Sequence, residues 1–358
     1  MKKIKVLALY RGKLHESRGT PIRIFNILSR LEKEPSIDLS VFSWDKEAPE
    51  FHNFTFLENN HRHDILKIAS FVRSQKIDLI TGYTASSLYY LVFLKFLTRA
   101  KISFESHGFI EDESREYGDI GFFKYWLLKT FFGFAYWLCD FVMTSDGPSV
   151  GDVLRKYNKK VLMLTGGVDP DFFNPKTIGG TFIKKDNRIV IGYAGNARVW
   201  QGVDFLIDAY RDLIKTHKDF RLALLTSEKK NFGSDIEVYG PVPNTEVPKF
   251  LIDCDILVIP RPLSVVTKIA YPSKLTEYLA MGKVVVGSNV GDMDKIIKSG
   301  ENGLIYTAGN KQELIDCFIK LRDEKLRNKL GQKGVETALN LSWKTIVDRL
   351  VDFIGRTM

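Results

Sequence analysis

Apolar residues along this chain fall into two alternating rhythms. Short apolar runs, rich in β-branched residues, occur at Lys5–Tyr10, Leu39–Ser43, Leu79–Tyr83, Ile102–Glu105, Phe141–Ser145 and Val161–Leu164. They return at Ile189–Gly195, Leu222–Thr226, Glu237–Tyr239, Ile256–Ile259, Val284–Gly287 and Leu304–Tyr306. Each reads as a buried strand. Between them lie helical patterns, beginning with a segment capped by Thr20 with Pro21 at its first position and running to about Glu34. Others follow near 64–75, 86–99, Phe122–Leu138, Ser149–Tyr157, Val203–Thr216, 245–252, Met293–Ser299, 311–322 and 324–339. Strand and helix alternating in this way imply parallel sheets with helices on both faces. Asn174–Asn187 has no periodicity and reads as a linker, and a last amphipathic segment, Trp343–Ile354, follows a break at Asn340–Ser342. The pattern predicts two consecutive doubly wound α/β domains, which suits a length of 358 residues.

Composition narrows the partners. The net charge of +9 favours anionic ones: nucleotide phosphates, acidic lipid headgroups or nucleic acid. No zinc finger, helix-turn-helix or aromatic RNA-binding signature accompanies it, so nucleic acid is set aside. Cys139, Cys254 and Cys317 form neither a zinc pattern nor a disulfide framework, which points to a reducing, cytoplasmic compartment. Met1-Lys2-Lys3 before Val6–Leu9 is too short an apolar run for a signal peptide and reads as a first strand. Phe122–Leu138 is the most apolar region, yet Lys124 and Lys129 interrupt it well short of the ~20 residues of a membrane span. It reads either as a buried core helix or as a helix lying against an anionic membrane surface. The acidic run Glu111-Asp112-Glu113 with Glu116 reads as a solvated loop.

Three stretches carry chemistry. Pro272–Lys283 predicts a helix of about two turns, with Ser273 as N-cap and Gly282 as C-cap. Such a helix offers amides and partial positive charge to an anion. Lys274 adds the full charge a diphosphate needs, and Glu277 can accept two hydroxyl protons from a ribose. Glu105-Ser106-His107-Gly108 ends a strand, where ligands of open α/β sheets bind, and makes His107 a candidate. The loop from Arg11 to Gly19, with Gly12, Gly19, Lys13, His15 and Arg18, opens from the first strand onto a helix, the usual way such a domain forms a crevice. Asp253-Cys254-Asp255 looks like a metal-binding DxD but directly precedes a buried strand, and reads as structural.

Gly192–Gly202 with Val203-Asp204-Phe205-Leu206-Ile207, Gly240 before Pro241, the Pro272–Gly282 helix and Gly300-Glu301-Asn302-Gly303-Leu304 come in one order. Together they resemble the GT-B glycosyltransferases of the large retaining family 4 (glycosyl transferases group 1). Gly166-Gly167-Val168-Asp169 with Phe172, Phe173 and Pro175 resembles the segment between that family's domains. The resemblance implies two Rossmann-like domains facing across a cleft: an acceptor-binding domain over 1–175 and a nucleotide-sugar-binding domain over 176–340. The segment 341–358 would cross back to the first. It also implies a metal-independent retaining transfer of a sugar from a nucleoside-diphosphate sugar, UDP more often than GDP, to an acceptor hydroxyl. A carbohydrate or lipid-linked acceptor in cell-surface polysaccharide or glycolipid synthesis is the expectation, at the cytoplasmic face of a membrane.

Under this resemblance Lys274 and Arg261 stabilise the departing phosphate, and His107 touches the donor sugar or the reacting hydroxyl. Gly195, Asn196, Arg198, Gln201, Gly240, Ser273, Leu275 and Glu277 line the donor, while Gly12, Gly19 and Arg18 border the acceptor. The chain departs from the family at three places. Ile269 stands where a first Glu is usual, Asn196 where an Arg is, and Gln201 where a Lys is. Each charge-assisted phosphate contact contributes ~1.5–3 kcal/mol, so two uncompensated losses would weaken donor binding by orders of magnitude. Arg198, Arg261, Lys268 and Lys274 are near enough in sequence to compensate, with Arg261 and Lys274 preferred. Two other readings remain open: a sugar-nucleotide 2-epimerase, or a catalytically silent carbohydrate-binding or membrane-scaffold protein.

Overall fold

In the computed structural model, which describes residues 3–14, 19–46, 51–179, 182–184 and 186–358, the apolar runs form two separate all-parallel sheets. They belong to two compact units, Met1–Thr165 with Trp343–Met358 and Gly166–Ser342. The chain passes into the second unit earlier than residue 175, because Val168 is buried in that unit's core and bridges Ser342.

The first unit holds β1 (Ile4–Tyr10), β2 (Ile37–Ser43), β3 (Phe54–Phe56), β4 (Leu79–Gly82), β5 (Lys101–Ser106), β6 (Phe141–Thr144) and β7 (Val161–Met163). Their order across the sheet is β3-β2-β1-β4-β5-β6-β7. The helices are α1 (Gly19–Leu31), α2 (His61–Gln75), α3 (Ala85–Leu97), α4 (Ile110–Glu116), α5 (Phe122–Leu138) and α6 (Pro148–Leu154). Strand order reverses between β1 and β4, so the carboxyl ends of these two strands splay helices to opposite faces.

Several local expectations need correction. The helix expected from Pro21 to Glu34 takes in Gly19 and Thr20 and stops at Leu31. The edge strand β3 is too short to show periodicity and went unpredicted. The acidic run is helix α4, not a loop: Glu111, Asp112 and Glu113 occupy its first turn, where the helix dipole favours carboxylates. Glu111 is buried there, and Asp112 accepts from Tyr125 Oη at 2.8 Å and Lys129 Nζ at 3.1 Å.

The second unit contains β8 (Ile189–Ala194), β9 (Phe220–Leu225), β10 (Glu237–Tyr239), β11 (Ile256–Ile259), β12 (Val284–Ser288) and β13 (Leu304–Tyr306), ordered β10-β9-β8-β11-β12-β13. Its helices are α7 (Val203–Thr216), α8 (Val247–Asp253), α9 (Val265–Ile269), α10 (Lys274–Ala280), α11 (Met293–Ile296), α12 (Lys311–Lys320) and α13 (Glu324–Leu339). The short α9 replaces part of the loop expected over Arg261–Tyr271. Alternate residues of each strand enter two cores. Ile191, Leu222, Leu224, Val258 and Val286 face one layer, while Val190, Ala223, Leu257, Ile259 and Val285 face the other. Asp253 and Asp255 anchor neighbouring backbone: Asp253 Oδ2 accepts the Phe182 and Ile183 amides and Asp255 Oδ2 the Val190 amide at 2.8 Å.

The last helix, α14 (Trp343–Thr357), belongs to the first unit. Trp343, Ile346, Val347, Leu350 and Ile354 recur at helical spacing and are buried with Ile24, Ile27 and Leu28 of α1. Leu350→Ala should therefore cost the first unit about 2–5 kcal/mol. Urea unfolding should show that unit's transition displaced and the second unit's in place.

Candidate functional site

In the second unit strand order reverses between β8 and β11. Open α/β sheets bind ligands outside the carboxyl ends of strands at such a point. Two loops leave it: Gly195–Gly202 after β8, and the one opening with Pro260 and Arg261 after β11. The first closes with a single 3-10 turn, Val199–Gln201, and Gly202 at φ 72°. A side chain at Gly202 would run into the Pro260 carbonyl oxygen, so the two loops touch backbone to backbone.

Lys274, at the start of α10, reaches back under the first loop. Its Nζ donates to Tyr193 Oη at 2.9 Å and to Gln201 Oε1 at 3.1 Å, and lies 4.2 Å from the Tyr193 ring centre. Tyr193 Oη in turn donates to the Asn196 carbonyl at 2.5 Å. Gly195 has φ 139°, which favours glycine, and a Cβ there would stand 2.6 Å from the ammonium and displace it. Burial, reinforced by the Arg261 guanidinium, lowers the Lys274 ammonium to about 7 against the pull of Glu277. The Glu277 side chain makes no hydrogen bond among the described residues, and burial raises its carboxyl to about 7 against the pull of Lys274. Arg261 is buried and donates from Nη1 to the Ala270 carbonyl at 2.8 Å. The site thus brings two cations together, and among the described residues the Lys274 ammonium donates to the neutral oxygens of Tyr193 and Gln201. That is a seat for an anion.

The other predicted donor residues divide. Gln201 is buried and locks Lys274. Asn196 and Arg198 are exposed on the turn, the Asn196 carboxamide accepting the Arg198 amide at 3.3 Å and the Arg198 guanidinium lying 5.1 Å over Trp200. Gly240 follows β10, exposed, with φ 101°. Lys268 is exposed on α9, which ends at the half-buried Ile269. Two readings of α10 need correction. Ser273 has helical dihedrals and makes no side-chain cap, and the Leu275 amide donates to the Pro272 carbonyl at 2.9 Å. The helix begins a residue early, so the amides of Ser273 and Lys274, not that of Leu275, lack partners among the described residues. Gly282, at φ 67°, ends the helix as expected.

In the first unit His107 follows β5. Its Nδ1 pairs with Ser145 Oγ at 2.9 Å, while Nε2 is buried with no partner among the described residues. Burial lowers the imidazole to about 4, so it is neutral at physiological pH. Nearby, Arg23 Nε and Glu105 Oε1 form a buried pair at 2.7 Å. Gly12 follows β1 against the Tyr10 ring and Gly19 opens α1; Arg18 lies outside the described residues. The sequence reading missed Tyr193, Ser145, Arg23 and the Arg23–Glu105 pair. Tyr193 had a signal: a polar-tipped residue in an apolar strand two positions before Gly195.

The comparisons define the class. Residues 188–324 match the profile of the family described as "Glycosyl transferases group 1". The two doubly wound units, with the last helix returned to the first, have the GT-B fold. A glycosyltransferase from Rickettsia africae ESF-5 has a solved structure that superposes with a TM-score of 0.76 at 16% identity, over 100% of this chain and 99% of that one. Anabaena Alr3699/HepE, solved "in complex with UDP and glucose", gives 0.70 at 14% identity, over 99% and 100%. In sequence, an "Uncharacterized glycosyltransferase MJ1178" of Methanocaldococcus jannaschii is 32% identical over 158 residues, 41% of this chain and 42% of that protein. The chain thus matches less than half the length of that relative.

Because Glu277 is held above its unfolded value near 4.5, its burial leaves stability lower once pH passes about 7 than below 4.5. Glu277→Gln removes that loss. Chemical denaturation should show the variant gaining on the parent chain as pH rises from 4.5 to 7.

Proposed function

We propose that this chain is a retaining, metal-independent glycosyltransferase that moves a sugar from a nucleoside-diphosphate sugar to an acceptor hydroxyl. The observation that carries the reading is the half-buried Lys274 ammonium, which lies close to Arg261 and, among the described residues, is hydrogen-bonded to the neutral oxygens of Tyr193 and Gln201. The group 1 match over 188–324 and a fold neighbour solved with UDP and glucose support it. In this reading the second unit holds the donor. Its diphosphate lies against Lys274, Arg261 and the amides of Ser273 and Lys274, and Glu277 accepts the ribose hydroxyls. Gly195, Asn196, Arg198 and Gly240 border the nucleotide, and UDP is the favoured one.

As the bond from the anomeric carbon to the diphosphate breaks, charge grows on the departing phosphate. A preorganised donor aimed at it contributes ~3–4 kcal/mol to lowering the barrier. We assign acceptor recognition to the first unit, with Gly12, Gly19 and Arg18 on the acceptor's side and neutral His107 toward the sugar or the acceptor hydroxyl. A carbohydrate or lipid-linked acceptor of cell-surface synthesis, used at the cytoplasmic face of a membrane, completes the proposal. Ile269 favours one rival, a silent carbohydrate-binding protein, which need not bind a nucleoside diphosphate.

A thermal-shift screen against UDP-, GDP- and ADP-sugars should raise the melting temperature with one nucleotide, since a ligand of the native state stabilises it by mass action. No shift with any of them would favour the rival. Lys274→Ala should leave the fold intact and lower turnover by about 10²–10³; unchanged turnover overturns the assignment.

The ammonium's lowered value gives a pH signature. A diphosphate restores its charge, so binding at pH 8, where Glu277 is already ionised, should take up a proton, and affinity should fall as pH rises above about 7. Calorimetric titration with UDP in buffers of different ionisation enthalpy measures this, and Lys274→Met should abolish the uptake.

A further inference from the structure

Helix α5 is apolar on both faces. Phe132, Gly133, Ala135 and Tyr136 are buried, Tyr136 lying 5.9 Å from Phe104 of β5. The opposite face, which a surface helix ordinarily fills with polar residues, instead exposes Phe123 (88%), Leu127 (71%), Trp137 (65%) and Trp126 (51%). Helix α3 packs beside it, with Tyr89 6.2 Å from Phe131. It adds Phe96, exposed to 72%, and Phe93. Two adjacent helices of one unit therefore present a continuous exposed aromatic surface, the kind of feature that marks an interaction site.

Their charges are of one sign. Across both helices the ionisable residues in reach are lysines, with no carboxylate in either. Lys95 and Lys129 are held by Asp140 and Asp112, while Lys124, and Arg99 just past α3, are exposed. The nearest carboxylates in sequence lie outside both helices: Asp140, two residues past α5 and paired with Lys95, and Asp119, Glu116 and Glu113 before it. Among the described residues no helix is long and apolar enough to cross a membrane. A second copy of these two helices would bring no carboxylate of its own to Lys124 or Arg99. An anionic surface meets it with opposite charge, and tryptophan and phenylalanine beside lysine are the residues that settle at a bilayer interface.

We propose that the exposed α3–α5 face is the surface by which this chain docks on an anionic lipid bilayer, its rings entering the headgroup region and Lys124 and Arg99 resting on the lipid phosphates. The face uses no residue assigned to nucleotide or sugar, so its fate is independent of that assignment.

Sedimentation of the full chain with vesicles tests it. The parent chain should pellet with phosphatidylcholine vesicles containing phosphatidylglycerol, with a blue shift in tryptophan emission, and several-fold less with phosphatidylcholine alone. Phe123→Ser with Trp137→Ser should weaken binding at least about tenfold, and Lys124→Ala about fivefold. Circular dichroism and the nucleotide thermal shift, both taken without vesicles, should match the parent. A parent chain that stays in the supernatant, or a double variant that pellets as well as the parent, overturns the proposal. So does a concentration-dependent dimer abolished by the double variant in a chain that ignores vesicles.

Discussion

A lysine ammonium held among uncharged oxygens is the constraint on which the second unit depends. Tyr193 and Gln201 orient Lys274 and satisfy its protons without cancelling its charge. Arg261 stands near enough to depress its ionisation further. A buried positive charge without a partnered carboxylate is destabilising, and a protein keeps one where an anion will arrive. The surrounding chain accommodates it: Gly195 has no side chain to displace the ammonium, and Tyr193 is fully buried so that its ring lies beneath the cation.

The first unit handles charge in the opposite way. Its buried arginine, Arg23, meets Glu105 directly at 2.7 Å and also donates to the Leu164 carbonyl, while its guanidinium lies 5.8 Å from the Trp343 ring centre on α14. Charge there is compensated internally, and the group beside it at the strand end, His107, is neutral. Two sheets of similar topology thus end in unlike chemistry: one in a lysine ammonium held by neutral oxygens with Arg261 and Glu277 in electrostatic reach, the other in an uncharged imidazole whose buried Nε2 has no partner among the described residues.

Much of this was legible from residue patterns. Parallel strands buried on both faces write themselves as continuous apolar runs, so Ile256–Ile259 and Leu304–Tyr306 were read with their observed bounds. Val203–Thr216 declared itself by strong helical amphipathicity. Edge and junction elements did not: β3 is too short, and the carboxylates of α4 look solvated until tertiary packing buries Glu111. In the site, Lys274 and Gln201 are legible from motif positions, and Arg261 from its place immediately after a buried strand. Their arrangement was not foreseeable, since it rests on Tyr193, which is distant in sequence from Lys274. The Ser273 cap failed because capping depends on backbone dihedrals, and those turned helical one residue sooner.

The backbone contact at Gly202 constrains how the two loops of the candidate site could diverge. The turn before α7 leans on the carbonyl of Pro260, and the next residue is Arg261. Remodelling either segment alone would drag the other out of register, so a transplanted recognition loop would have to bring its neighbour with it. Under the proposed function, preference at this site would change through a matched pair of segments, not residue by residue.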